Sequence, residues 1–110
     1  NVTRLNGAGN YRMWKMQVKG VLGSKGLWEI VTGKETEPEP PGDDPSAVKG
    51  KDLEWAAHYE AVNAFQQRFC QAYTLIITTV SQDICLSLEF TQDPKAAWDI
   101  LNERFQPDGI

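Results

Sequence analysis

The chain has 110 residues, 41% of them hydrophobic and 24% charged, with a formal net charge of −4. That length fits one domain that buries about two-thirds of its unfolded surface, enough for a core without metal or disulfide staples. Four tryptophans argue against wholesale disorder, and no apolar run approaches the ~20 residues that cross a bilayer. There is no initiating Met and no signal-like apolar block, so the sequence reads as a piece of a longer protein. Cys70 and Cys85 lie far apart in no partner pattern, which suits a reduced, intracellular setting. Residues 1–34 hold six bases and one acid, whereas residues 35–110 hold five bases and fourteen acids. A nucleic-acid-binding domain carries a basic excess throughout. This division describes two electrical faces instead.

In chain order, Tyr11, Trp14, Val18, Val21 and Leu22 fall on one face of a helix, with Asn10 as N-cap and Gly26 as its stop. Gly20 and Gly23 inside it each cost about 1 kcal/mol against Ala and leave room for a close helix neighbour. Leu27, Trp28, Ile30 and Val31 make a short second helical turn, closed by Gly33. Residues 34–50 contain four prolines, two glycines and five acids, which predicts a solvated, mobile loop dispensable for folding. Trp55, Tyr59, Val62, Gln66, Phe69, Tyr73, Ile76 and Val80 then alternate spacings of four and three, one stripe along a central core helix. Residues 74–90 admit two readings. The β-branched run to Val80 and the alternation at Ile84, Leu86, Leu88 and Phe90 fit a hairpin. The continuing heptad phase favours a helix to near Val80 and a short helix capped by Ser81, because a lone hairpin is only marginally stable. The last helix opens with Asp93 as N-cap and Pro94 at its first position, carries Ala97, Trp98, Leu101 and Phe105 on its apolar face, and ends at Pro107 and Gly109. The fold class is therefore all-α, a compact bundle of four to five helices over 1–110 with a long Pro/acidic loop at 34–50.

Catalytic chemistry is missing from this pattern. His58 is the sole histidine, and its neighbours Glu54 and Glu60 build neither a triad nor a metal site. Gly7-Ala8-Gly9 lacks the rest of a dinucleotide fingerprint. The sequon Asn1-Val2-Thr3 lacks a secretory context. The expectation is a non-enzyme with no cofactor and no metal.

Leu5-Asn6-Gly7, Asn10-Tyr11, Trp14 and Met16, then Leu27-Trp28 with Val31 and Gly33, resemble the opening of copia-type retrotransposon Gag polyproteins. Ala96-Ala97-Trp98-Asp99-Ile100-Leu101 with Arg104-Phe105 resembles a later helix of the same family, so the likeness covers nearly the whole chain. Two departures stand out: two residues separate Gly7 from Asn10, and the 34–50 loop is long and acidic. The resemblance implies a retroviral-capsid N-terminal-lobe-like domain that self-assembles into an intracellular, cytoplasmic virus-like shell around the element's RNA. RNA packaging would fall mainly to downstream regions, with no membrane contact. Within that reading Leu5, Asn10, Tyr11, Trp14, Leu27, Trp28, Trp98 and Leu101 are core. Arg12, Lys15 and Lys19 on one flank of the first helix, with Met13 on its other side, form an assembly surface for a second copy of the chain. The isolated lobe is expected to be monomeric or weakly associated. The alternative is a host-retained, Gag-derived module whose aromatic groove binds a protein or peptide.

Overall fold

The computed structural model describes residues 3–42 and 51–105, with side chains from Leu53 onward in the second stretch. The described residues form five α-helices: α1 (Tyr11–Ser24), α2 (Trp28–Thr32), α3 (Lys51–Thr78), α4 (Gln82–Ser87) and α5 (Pro94–Phe105). A single 3₁₀ turn, Ala8–Asn10, leads into α1. The fold is all-α, and among the described residues the only β pairing is a lone parallel bridge between Leu5 and Val80.

That bridge explains why the N-terminal arm is ordered. Leu5 N–H donates to the Thr79 carbonyl at 2.8 Å, and Ser81 N–H donates to the Leu5 carbonyl at 2.7 Å. The arm thus satisfies backbone groups left over where α3 ends, and Leu5 is fully buried. Asn10 occupies the N-cap position of α1 but makes no capping bond. Its Oδ1 accepts from Asn6 N–H at 3.1 Å and its Nδ2 donates to the Arg4 carbonyl at 2.8 Å, so it holds the arm rather than the helix.

Helix α1 stops in a Schellman motif. Leu27 N–H reaches the Leu22 carbonyl at 2.7 Å and Gly26 N–H reaches the Gly23 carbonyl at 3.1 Å. Gly26 takes the left-handed φ of 71° that this requires, and Leu22 and Leu27, both fully buried, supply the accompanying apolar contact. Gly33 closes α2 with a left-handed φ of 86°, its N–H donating to the Ile30 carbonyl at 3.2 Å while Glu35 N–H reaches the Glu29 carbonyl at 3.0 Å. At α5, Asp93 Oδ1 accepts from Lys95 N–H at 2.8 Å, the expected cap ahead of Pro94. The helix runs to Phe105, and the expected stops at Pro107 and Gly109 lie outside the described residues.

Of the two readings of 74–90, the favoured helical one is found and the hairpin is not. Residues through Thr78 are helical, and Ser81 stands at the N-cap position of α4, although its hydroxyl donates to Asp83 Oδ1 at 2.8 Å instead of making the expected capping bond. Ile76 and Val80 are buried in the core, so packing overrides the strand propensity of this β-branched run.

The long helix departs from expectation at its other end. A helix of 28 residues spans about 42 Å, and the molecule measures 59 × 26 × 24 Å. The first buried α3 residue is Phe65; between Leu53 and Ala64 none is buried, and Tyr59 is 57% exposed. Trp55, Tyr59 and Val62 continue the apolar stripe, yet they overhang the bundle instead of filling its centre.

Candidate assembly surface

The motif residues divide between the two sides of α1. Inward, Tyr11, Trp14, Val18 and Leu22 are buried. Trp14 packs 5.5 Å from Trp98 and 6.0 Å from Tyr11, ring centre to ring centre, and Trp98 meets the edge of Trp28 at 5.3 Å. The two polar atoms carried in by these rings are both used. Trp14 Nε1–H donates to Thr79 Oγ1 at 3.1 Å, and Tyr11 O–H donates to Asn102 Oδ1. Burial pushes the Tyr11 hydroxyl up to about 12 from its ordinary value near 10. Leu5, Leu27, Trp98 and Leu101 are buried with them, whereas Trp28 and Asn10 are half-buried.

Outward, α1 presents Arg12, Met13, Met16, Lys19, Gly20 and Gly23, all exposed, with Met13 at 51% and Met16 at 63%. Lys15 sits half-buried at the edge, its Nζ 5.7 Å from the centre of the Tyr11 ring. Lys19 Nζ lies 5.2 Å from the centre of the Trp28 ring. The expected basic flank therefore exists, with the ammonium groups of Lys15 and Lys19 set over aromatic faces. The close neighbour expected for Gly20 and Gly23 is not found among the described residues: a Cβ at either position meets nothing within 4 Å.

A second feature was not visible in the sequence. Arg68 on α3 grips Glu35, Nη1 to Oε2 at 2.5 Å and Nη2 to Oε1 at 2.8 Å, and Nη2 also donates to the Gly26 carbonyl. The hydrogen bonds from Arg68 hold the Glu35 carboxyl below its ordinary range. Gln66 Nε2 donates to Glu37 Oε1 at 3.3 Å. The start of the 34–50 loop is thus strapped to α3, a correction to the picture of a freely solvated loop; residues 43–50 lie outside the described residues. Under the strap runs a cleft of 550 Å³ whose apolar wall is Ile30, Phe65 and Phe69. Nothing in the spacing of Arg68 and Glu35, 33 residues apart, announces this pair. Phe90, the last member of the alternation at Ile84, Leu86 and Leu88, lies beyond α4 and is 90% exposed.

His58 lies on the overhang beside Trp55 and Tyr59, each ring centre 5.7 Å from its own. Among the described residues no three of His, Cys, Asp and Glu cluster as metal ligands, and no described helix is long and apolar enough to cross a membrane.

The fold and this surface define an all-α domain whose N-terminal arm and first two helices carry the motif. A family model described as Domain of unknown function (DUF4219) matches residues 5–32, the stretch from the buried Leu5 to the end of α2. That domain is found in Gag and polyprotein regions of copia-type retrotransposons. No curated protein and no solved structure matches the chain.

Proposed function

We propose that the chain is a structural self-assembly domain of a retrotransposon Gag, the N-terminal lobe of a capsid shell that encloses the element's RNA. The observation that carries this reading is the two-sidedness of α1. Its inner side is the motif, placed in the core, while its outer side is an apolar and basic strip that stands exposed among the described residues. Surfaces of that kind mark protein contacts. The DUF4219 match over the same helix supports the placement. On this reading the domain is not an enzyme, and it works inside the cell with other copies of itself as partner.

The test is charge reversal at Arg12, Lys15 and Lys19 in the full-length protein, followed by electron microscopy and RNA quantification. Loss of particles with the helical spectrum of the isolated chain intact supports assembly. Normal particles with reduced RNA assign the strip to RNA instead, and normal particles with normal RNA remove it from both roles.

The cleft under the Glu35 strap favours a second reading, a host-retained module that binds a peptide. A peptide occupant would seat an apolar side chain against Phe65 and Phe69. Titration with a peptide library and mapping of shifts to those residues would distinguish it from the first reading.

A further inference from the structure

We propose that the overhanging half of α3 docks on the outer face of α1 in a second copy of the chain, a head-to-tail contact. The inference rests on the self-assembly reading and names the two surfaces involved.

The overhang is an incomplete packing unit. From Leu53 to Ala64 it makes three turns of helix with no buried residue, yet it carries Trp55, Tyr59 and Val62 on one stripe. Where the same stripe continues into the bundle, Phe69 and Tyr73 are half-buried and Ile76 is core. A helix of this length is marginal in water without a packed face. Leu53, 76% exposed, and Tyr59 leave a large apolar area open to solvent.

The outer face of α1 has the complementary character. Met13 and Met16 are flexible apolar side chains that conform to an irregular partner. Gly20 and Gly23, one and two turns further along the same face, leave the backbone bare, so bulky rings can approach closely. Gly20, inside the helix, reduces its stability, and neither glycine meets a packing neighbour among the described residues. Contact with another copy is the role left for them.

Charge selects the pairing. Between Leu53 and Ala64 there are two carboxylates, Glu54 and Glu60, and no lysine or arginine. Helix α1 holds Arg12, Lys15 and Lys19 and no acid. Joining α3 to α3 sets like charges together, and joining α1 to α1 does the same. Only α3 on α1 brings opposite signs together. Because the two patches differ, each bound copy exposes a fresh pair, and the contact propagates into a ring or shell.

The experiment is sedimentation velocity on the chain at rising concentration and low salt, with two variants. One, Met16→Gln/Gly20→Gln, alters the α1 face; Gln favours helix over Gly, so its fold holds. The other, Trp55→Gln/Tyr59→Gln, alters the overhang outside the core. Circular dichroism checks both for native helix. Each variant alone should associate about tenfold or more weakly than wild type, the usual mark of contact residues. Mixed, they should form a one-to-one pair, because each supplies the face the other has lost. If wild type associates and either variant matches it, or if the mixture forms no pair, this contact is refuted while self-assembly through another surface stands. If wild type stays monomeric up to the highest concentration, this contact is refuted; if the full-length protein also forms no particles, the self-assembly reading fails with it.

Discussion

Replacing Trp14 with Ala tests whether the aromatic cluster is what holds the bundle together. Trp14 is fully buried and links three parts of the fold: Tyr11 beside it on α1, Trp98 on α5, and Thr79 at the end of α3. Truncating a large buried aromatic costs about 3–5 kcal/mol, and the loss is greatest where the cavity cannot collapse. Here the cavity walls belong to separate helices, each fixed by other contacts, so the upper part of that range applies. A domain of this size holds about 5–15 kcal/mol in total, so the variant gives up a third or more of its stability. The hydrogen bond to Thr79 is a smaller part of this. Thr79→Val leaves the indole N–H buried without a partner, at a cost of about 1–3 kcal/mol. Thr79 Oγ1 also donates to the Leu75 carbonyl at 2.8 Å, a bond to a helix-end carbonyl that Val cannot replace. Equilibrium urea unfolding should show the midpoint falling steeply for Trp14→Ala and moderately for Thr79→Val, with an unchanged m-value. A loss below about 1 kcal/mol for Trp14→Ala would refute the burial argument and make the ring available for contact with a ligand.

Trp98→Ala, removing the ring between Trp14 and Trp28, should cost a similar 3–5 kcal/mol in the same unfolding assay. Tyr11→Phe should flatten the alkaline limb of the stability profile. The raised Tyr11 value means that its contribution is full below about pH 10 and is lost as pH climbs through about 12, which pH-dependent melting will show. Glu35 runs the other way: its carboxyl is held low, so its contribution is present above the unfolded carboxylate range and lost as pH falls through the folded value. Melting of Glu35→Gln should therefore depend less on pH in acid than wild type does. Gly33→Ala should destabilise by about 1–2 kcal/mol, because a left-handed residue closes α2 there, and thermal melting will read it.

Much of this fold is legible from local chemistry. The stop at Gly26, the closure at Gly33 and the Asp93-Pro94 start each depend on a few adjacent residues, and each appears where the sequence places it. The heptad phase through Tyr73, Ile76 and Val80 correctly outweighed the β-branched run, because burial on one stripe is worth more than propensity. What stayed hidden depends on distance. Arg68 and Glu35 meet across a loop, and Asn10, in a capping position, turns back to hold the arm. The overhang shows the limit most clearly. Periodicity reports which side of a helix is apolar, and Trp55 and Tyr59 satisfy it as well as Ile76 does. It does not report whether anything covers that side.

The proposed contact also has to account for the weak association expected of a single pair. Exposed ion pairs such as those open to Arg12 and Lys19 contribute at most about 1 kcal/mol and fade with salt. Their part is to choose orientation; the attraction must come from Met13, Met16, Trp55 and Tyr59 leaving water. From that gain is subtracted the loss of free motion on association and the ordering of two flexible methionines, so one contact on its own stays weak. Closure changes the arithmetic. A copy held at both α1 and α3 cannot leave without breaking two contacts, and the second forms at the high effective concentration set by the first. A domain built this way remains dispersed when dilute and assembles steeply once enough copies are gathered. Stabilising α1 by filling Gly20 and Gly23 would then strengthen the monomer while weakening the shell. That opposition gives a physical reason for two glycines to stand on the outer face of α1.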